Sequence, residues 1–146
     1  MAVELLLFLP DNSAENFAPP PECPKAKMKK ILIVDDSQAE IKLMQSVLQS
    51  AGYWPVAIND PTKIEQTIDA ERPSLILLDV VMPNRNGFQA CRELKASTEY
   101  QRIPVVLVSS KSTDSDKFWA KQQGADDYVV KPWSKEVLLG VVQRLI

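Results

Sequence analysis

The chain is 146 residues long, with 45% hydrophobic and 25% charged residues, the size and composition of one soluble globular domain with a single buried core. Its 17 basic and 19 acidic side chains leave a net charge of −2, so it lacks the basic excess that nucleic-acid binding draws on. It contains no histidine, which excludes a phosphohistidine donor, and its two cysteines, Cys23 and Cys91, show no metal-ligand spacing and read as reduced thiols of a cytoplasmic protein.

Residues 1–28 stand apart from the rest. Leu5-Leu6-Leu7-Phe8-Leu9 is apolar, but Glu4 precedes it, no Lys or Arg does, and it is far too short to span a bilayer, so neither a signal peptide nor a membrane anchor is expected. Pro10 to Pro24 is rich in proline and polar residues and reads as a linker or disordered arm. A redox contact through Cys23 stays open, as does docking of the apolar segment on this domain, a second copy or another partner.

From residue 29 to 146 the pattern is regular and reads as one domain. Strands are expected at Lys30 to Val34, Trp54 to Ile58, Ser74 to Leu78, Pro104 to Val108 and Asp127 to Val130. Between them run helical periodicities. In the first helix Ile41, Met44, Val47, Leu48 and Ala51 form one apolar stripe, with Ser37 as N-cap and Gly52 closing it. The second opens on Asp60-Pro61 and stops before Pro73; the third covers Asn86 to Ser97; the fourth runs from Thr113 to Gln123, ended by Gly124. The last starts at Ser134 and turns Val137, Leu138, Val141 and Leu145 inward. Strands and helices alternating in this way imply an α/β fold, a flavodoxin-like doubly wound parallel sheet of order 2-1-3-4-5 with five helices.

That order puts the switch point between the first and third strands, where ligands bind beyond the carboxyl ends. Those strands deliver Asp35-Asp36 and Asp79, and the fifth delivers Lys131. Clustered carboxylates resist ionising together, so the site calls for a cation, and oxygen donors suit a hard one such as Mg²⁺. No glycine-rich loop follows the first strand, so a dinucleotide or flavin lacks its anchor.

The ordered set Asp35-Asp36, Leu78-Asp79-Val80-Val81-Met82-Pro83, Val108-Ser109-Ser110 and Tyr128-Val129-Val130-Lys131-Pro132 resembles the receiver domain of two-component response regulators. With no output domain after Ile146, the chain is similar to stand-alone receivers of the CheY type, and the Ile103 to Lys111 run with Lys131-Pro132-Trp133 looks closer to the Pil-type receivers of twitching motility. The resemblance implies a phosphorylation-dependent switch rather than an enzyme. It makes Asp79 the phosphoacceptor, Asp35, Asp36, Asp79 and the Val81 backbone carbonyl the Mg²⁺ ligands, and Lys131 the partner of the phosphoryl oxygens. Ser109 and Tyr128 become the switch pair, and Val81 and Lys111 the positions that tune phosphoryl lifetime. A cis Lys131-Pro132 bond is expected with it.

Each residue also has a plainer reading. Asp79, Asp35 or Asp36 could cap a turn or helix, Lys131 could be a solvated surface lysine, Ser109 a helix cap and Tyr128 a half-buried strand aromatic. Among the other aromatics Phe118 reads as core, and Trp119 and Trp133 as partner contacts. Expected partners are a histidine kinase or phosphotransfer protein upstream, and a protein target docking on the face of the fourth helix, fifth strand and fifth helix. The chain is expected as a monomer or weak dimer, with no nucleic acid and no membrane. Two other classes remain open: a metal-dependent aspartyl-phosphate phosphatase, although such enzymes carry a second acid where this chain has Val81, and a receiver-like module that is never phosphorylated.

Overall fold

The computed structural model describes residues 28–146, so the readings made for residues 1–27, Cys23 included, lie outside the described residues. Five strands, β1 (Lys30–Val34), β2 (Trp54–Ile58), β3 (Leu75–Asp79), β4 (Val105–Ser109) and β5 (Asp127–Val130), form one sheet of order β2-β1-β3-β4-β5. Every pairing in it is parallel. The helices are α1 (Gln38–Ser50), α2 (Ile64–Glu71, entered through a 3₁₀ turn at Pro61–Lys63), α3 (Gly87–Ala96), α4 (Asp114–Gln122) and α5 (Lys135–Leu145).

Alternation along the strands splits the core into two layers. Leu32, Val34, Ile76, Leu78, Val105 and Leu107 pack with Ile64 and Ile68 of α2, Ala90, Cys91 and Leu94 of α3, and Ala120 of α4. Ile31, Ile33, Leu75, Leu77, Val106, Val108 and Val129 face the other way, onto Ile41, Met44 and Leu48 of α1 and Leu138, Val141 and Val142 of α5. The central strands are buried on both faces, which is why they read as unbroken apolar runs.

The helix starts are set by side-chain caps: Ser37 accepts from the Glu40 N–H, Asn86 from Gln89, Thr113 from Asp116 and Ser134 from Val137. Asp60 does the same for the turn before α2, with Pro61 in the first helical position.

Four expectations need correction. β3 and β4 each lie one residue further on than expected, so that Asp79 and Ser109 belong to the ladder, opposite Val108 and Val130. Backbone pairing is indifferent to side-chain polarity, and an apolar run therefore understates a strand by its polar last residue. In α5, Val137 is 52% exposed, because the inward set is Leu138, Val141 and Val142, and Val137 lies about 100° round the helix from its neighbour. Ala51 is the exposed C-cap of α1 and leaves the apolar stripe to Ile41, Met44 and Leu48, with Val47 half-buried beside them. Phe118 is 57% exposed: α4 presents Ala120 to the core, and a residue two positions away points about 200° round from it.

Candidate functional site

At the carboxyl ends of β1 and β3, one oxygen each from Asp35, Asp36 and Asp79 lies within 4.8 Å of the others. The arrangement is a consequence of register: Val34 pairs with Leu78, so the residues that follow, Asp35 and Asp79, emerge side by side. Asp35 and Asp79 are buried, and Asp36 is exposed. Asp35 is also held from behind, accepting the Ser37 N–H at 2.9 Å. The helix cap and the acidic site therefore share one loop.

Lys131 follows β5 and reaches across the mouth of this cluster. Its Nζ lies 3.1 Å from Asp35 Oδ2, 3.3 Å from Asp79 Oδ1 and 3.9 Å from Glu40 Oε1. The Lys131-Pro132 bond is cis, as the resemblance implied, and the Lys131 N–H donates to the Ser109 carbonyl at 2.8 Å. Burial works against the ammonium, but the Asp35 hydrogen bond and the Asp79 and Asp35 charges outweigh it and move its pKa up. Asp79 moves the other way from a normal carboxylate. Burial first, then the Asp35 charge, raise it to about 6, against the pull of Lys131. A buried aspartate beside two others, with one ammonium to offset them, is a site short of positive charge, and its all-oxygen donor set fits a hard divalent cation.

Ser109 and Tyr128 meet through a third residue. The buried Ser109 Oγ accepts the Lys111 N–H at 3.1 Å, and the Tyr128 hydroxyl donates to the Lys111 carbonyl at 2.6 Å. Burial raises the Tyr128 phenol, a Ser109 hydroxyl contact lowers it, and the Asp116 and Asp79 charges raise it again. The loop after β4 is thus held by the two residues expected to form a switch.

Val81 stands in the loop after β3 with its side chain 58% exposed, between the buried Val80 and Met82, and Lys111 is exposed as well. Trp119 is 55% exposed and meets Phe118 edge-on, with ring centroids 6.0 Å apart. Trp133, expected as a contact residue, is half-buried and packs against the α1 and α5 layer. The exposed pair is therefore Phe118 and Trp119.

Two site residues escaped the sequence reading. Gly87 packs so close to the end of β3 that a Cβ there would stand 2.3 Å from the Asp79 carbonyl oxygen. The Asn86-Gly87 pair was the available signal, since a cap followed by glycine marks a tight approach. Glu40 was legible only as a helix-start glutamate, and nothing local showed that it faces Lys131.

A family model described as the response regulator receiver domain matches residues 31–143. The chain belongs to the response regulator receiver family. It is 38% identical over 119 residues to protein PilH of Pseudomonas aeruginosa, covering 82% of this chain and 98% of that protein. It is 34% identical to the alkaline phosphatase synthesis regulator PhoP of Bacillus subtilis, but spans only 48% of it. Among solved structures, the chemotaxis protein CheY4 of Vibrio cholerae superposes with a TM-score of 0.76 at 29% identity, over 82% of this chain and 99% of that one. The receiver domain of a sensor histidine kinase from Pseudomonas aeruginosa, solved with a magnesium ion in its active-site cleft, gives 0.74 at 26% identity, over 81% and 97%. This receiver is a phosphorylation-dependent switch of two-component signalling, a class that signals rather than turning over substrate, and such domains work with histidine kinases and phosphotransfer proteins. Among the described residues no helix is long and apolar enough to cross a membrane.

Proposed function

We propose that Asp79 accepts the phosphoryl group, that Asp35, Asp36, Asp79 and the Val81 carbonyl hold Mg²⁺, and that the domain signals from the cytoplasm by protein contact. The observation that carries this reading is the buried Asp79 carboxylate with two acidic neighbours within 4.8 Å and an ammonium at 3.3 Å. An Asp79 oxygen attacks phosphorus, the bond from phosphorus to the donor's leaving oxygen or nitrogen breaks, and an acyl phosphate results. Bound Mg²⁺ supplies positive charge for the phosphoryl oxygens. Lys131 adds a compact cation on the same side, and its two carboxylate contacts aim it there before any phosphoryl group arrives.

Ser109 then exchanges its hold on Lys111 for a phosphoryl oxygen, and the loop after β4 follows. The Tyr128 hydroxyl gives up the Lys111 carbonyl and the ring turns inward. Taking such an equilibrium from 1:99 to 99:1 needs roughly 5.5 kcal/mol of differential interaction, whereas one charge-assisted hydrogen bond and one ion pair supply a few. A protein target completes the shift. The face built by α4, β5 and α5 is the docking surface, with the exposed Phe118 and Trp119 as its aromatic anchors. The likeness to PilH and to a chemotaxis receiver favours a role in surface motility or taxis.

The test is intact mass after incubation with Mg²⁺ and acetyl phosphate. Wild type is expected to gain one phosphoryl group and Asp79→Asn none. A folded wild type that gains nothing, from acetyl phosphate or from the more reactive phosphoramidate, overturns the reading. Because Val81 offers an attacking water no hydrogen bond, the acyl phosphate is expected to decay slowly, with Val81→Asn speeding its loss.

A further inference from the structure

The start of α1 carries the sequence of a capping box, Ser37-Gln38-Ala39-Glu40, and the structure completes only half of it. Ser37 Oγ accepts the Glu40 N–H, but the Ser37 N–H that Glu40 would normally take is already given to Asp35 Oδ1 at 2.9 Å. At the start of α4 the same motif is reciprocal, with Asp116 accepting the Thr113 N–H. Glu40 is released from capping and turns into the site. Its Oε1 is buried, has no hydrogen-bond partner among the described residues, and stands 3.9 Å from Lys131 Nζ. An ammonium has three hydrogens, and Asp35 and Asp79 take two of them.

We propose that Glu40 is a positioning residue for Lys131, the third carboxylate that keeps the ammonium over Asp79 once Asp35 and Asp79 share their charge with a bound cation. The inference rests on the receiver chemistry proposed above. Asp35 is claimed both by the amine and by the cation, so the two compete for it. Glu40 approaches the amine from α1, and its carboxylate is not among the three that cluster for the cation. A shift of about 1 Å brings Lys131 and Glu40 within charge-assisted hydrogen-bond distance.

The role has a sign that separates it from simple charge. A carboxylate acting only through its charge repels an anionic donor, so Glu40→Gln would then phosphorylate faster. A positioning carboxylate makes Glu40→Gln slower, by about tenfold for the loss of one charge-assisted bond. The experiment compares wild type, Glu40→Gln and Glu40→Asp with saturating Mg²⁺, reading the phosphorylation rate with acetyl phosphate and, separately, the ¹⁵N amine resonance of Lys131, assigned through Lys131→Arg. Wild type is expected to show a Lys131 amine signal protected from water exchange in the Mg²⁺-loaded protein. Both variants are expected to lose it while keeping the wild-type melting temperature, since the shorter Asp cannot reach. An unchanged Lys131 signal, or a rate equal to or faster than wild type in Glu40→Gln, overturns the proposal. If wild type itself takes up no phosphoryl group, the receiver chemistry fails, and the resonance comparison still decides whether Glu40 holds Lys131.

Discussion

At the scale of single residues, Asp79 is an acid whose ionisation its surroundings make harder. Its pKa of about 6 in the folded chain lies above the ordinary 3.8, so as pH falls the folded protein takes up this proton first. Stability of the metal-free protein therefore gains from Asp79 as pH drops from about 7 towards 4, and that gain is gone above the folded pKa. The contribution is on the order of 3 kcal/mol. Asp79→Asn is expected to be more stable than wild type by about that much at pH 7.5, the difference closing by pH 4, as read by urea unfolding without metal. An equal difference at both pH values would mean that burial at this position does not work through charge. The same proton competes with the cation, so Mg²⁺ affinity should fall as pH drops below about 6. Gly87 is the other sensitive position. Gly87→Ala places a methyl group against the Asp79 carbonyl and is expected to cost about 3 kcal/mol in urea unfolding, with weaker Mg²⁺ binding, because backbone cannot move aside as a side chain can.

At the scale of elements, the loop after β3 is fastened by a side chain as well as by the packing of Val80 and Met82. Arg85 is only 11% exposed and bonds Glu65 of α2 through both amino groups, at 2.9 and 2.6 Å, and Glu93 of α3 at 2.6 Å, and also donates to the Pro61 carbonyl at 2.9 Å. Mutual pairing lowers the pKa of both glutamates through the Arg85 hydrogen bonds. Arg85→Met leaves two partly exposed carboxylates without their cation, and a loss of about 2 kcal/mol is expected, between the values for surface and buried pairs. Salt separates this account from lost packing: the wild-type to Arg85→Met difference should shrink at 1 M NaCl. At α4 the reciprocal Thr113 and Asp116 box carries a helix that offers only Ala120 to the core. Thr113→Ala is expected to cost about 1 kcal/mol, with the faster amide exchange confined to α4 and the loop before it. Exchange spread over the whole sheet would show that α4 does not open alone.

At the scale of the whole molecule, a sheet buried on both faces makes the domain one cooperative unit, and Cys91 reports on it. The thiol lies fully buried in the α2 and α3 layer, and burial raises its pKa to about 11. In a Cys23→Ser background it is expected to stay unreactive to a disulfide reagent at pH 8 until the domain opens, with a rate that tracks the unfolding equilibrium in urea. Reaction at the rate of a free thiol in native buffer would contradict the burial. In the switch proposed above, phosphorylation would act on a small part of this unit, the loop that Ser109 and Tyr128 hold at Lys111.

The sequence by itself determined the strand and helix order, the sheet topology, the caps at Ser37 and Asp60, the start of the last helix at Ser134, and the convergence of Asp35, Asp36, Asp79 and Lys131. Those follow from periodicity and from strand-end positions, which are local properties that a parallel sheet carries into space unchanged. It misjudged Val137 and Phe118, where an apolar residue on an amphipathic helix lies one or two positions outside the inward face, since hydrophobicity does not state the helix's rotation. The packing of Trp133 on the α1 and α5 layer was not legible either, since it depends on how the chain turns after β5. Arg85 between Glu65 and Glu93, Gly87 against Asp79, and Glu40 beside Lys131 were decided only by tertiary structure. Each joins elements brought together by the sheet, and a contact across 91 residues of chain, as between Glu40 and Lys131, leaves no periodic trace in the sequence.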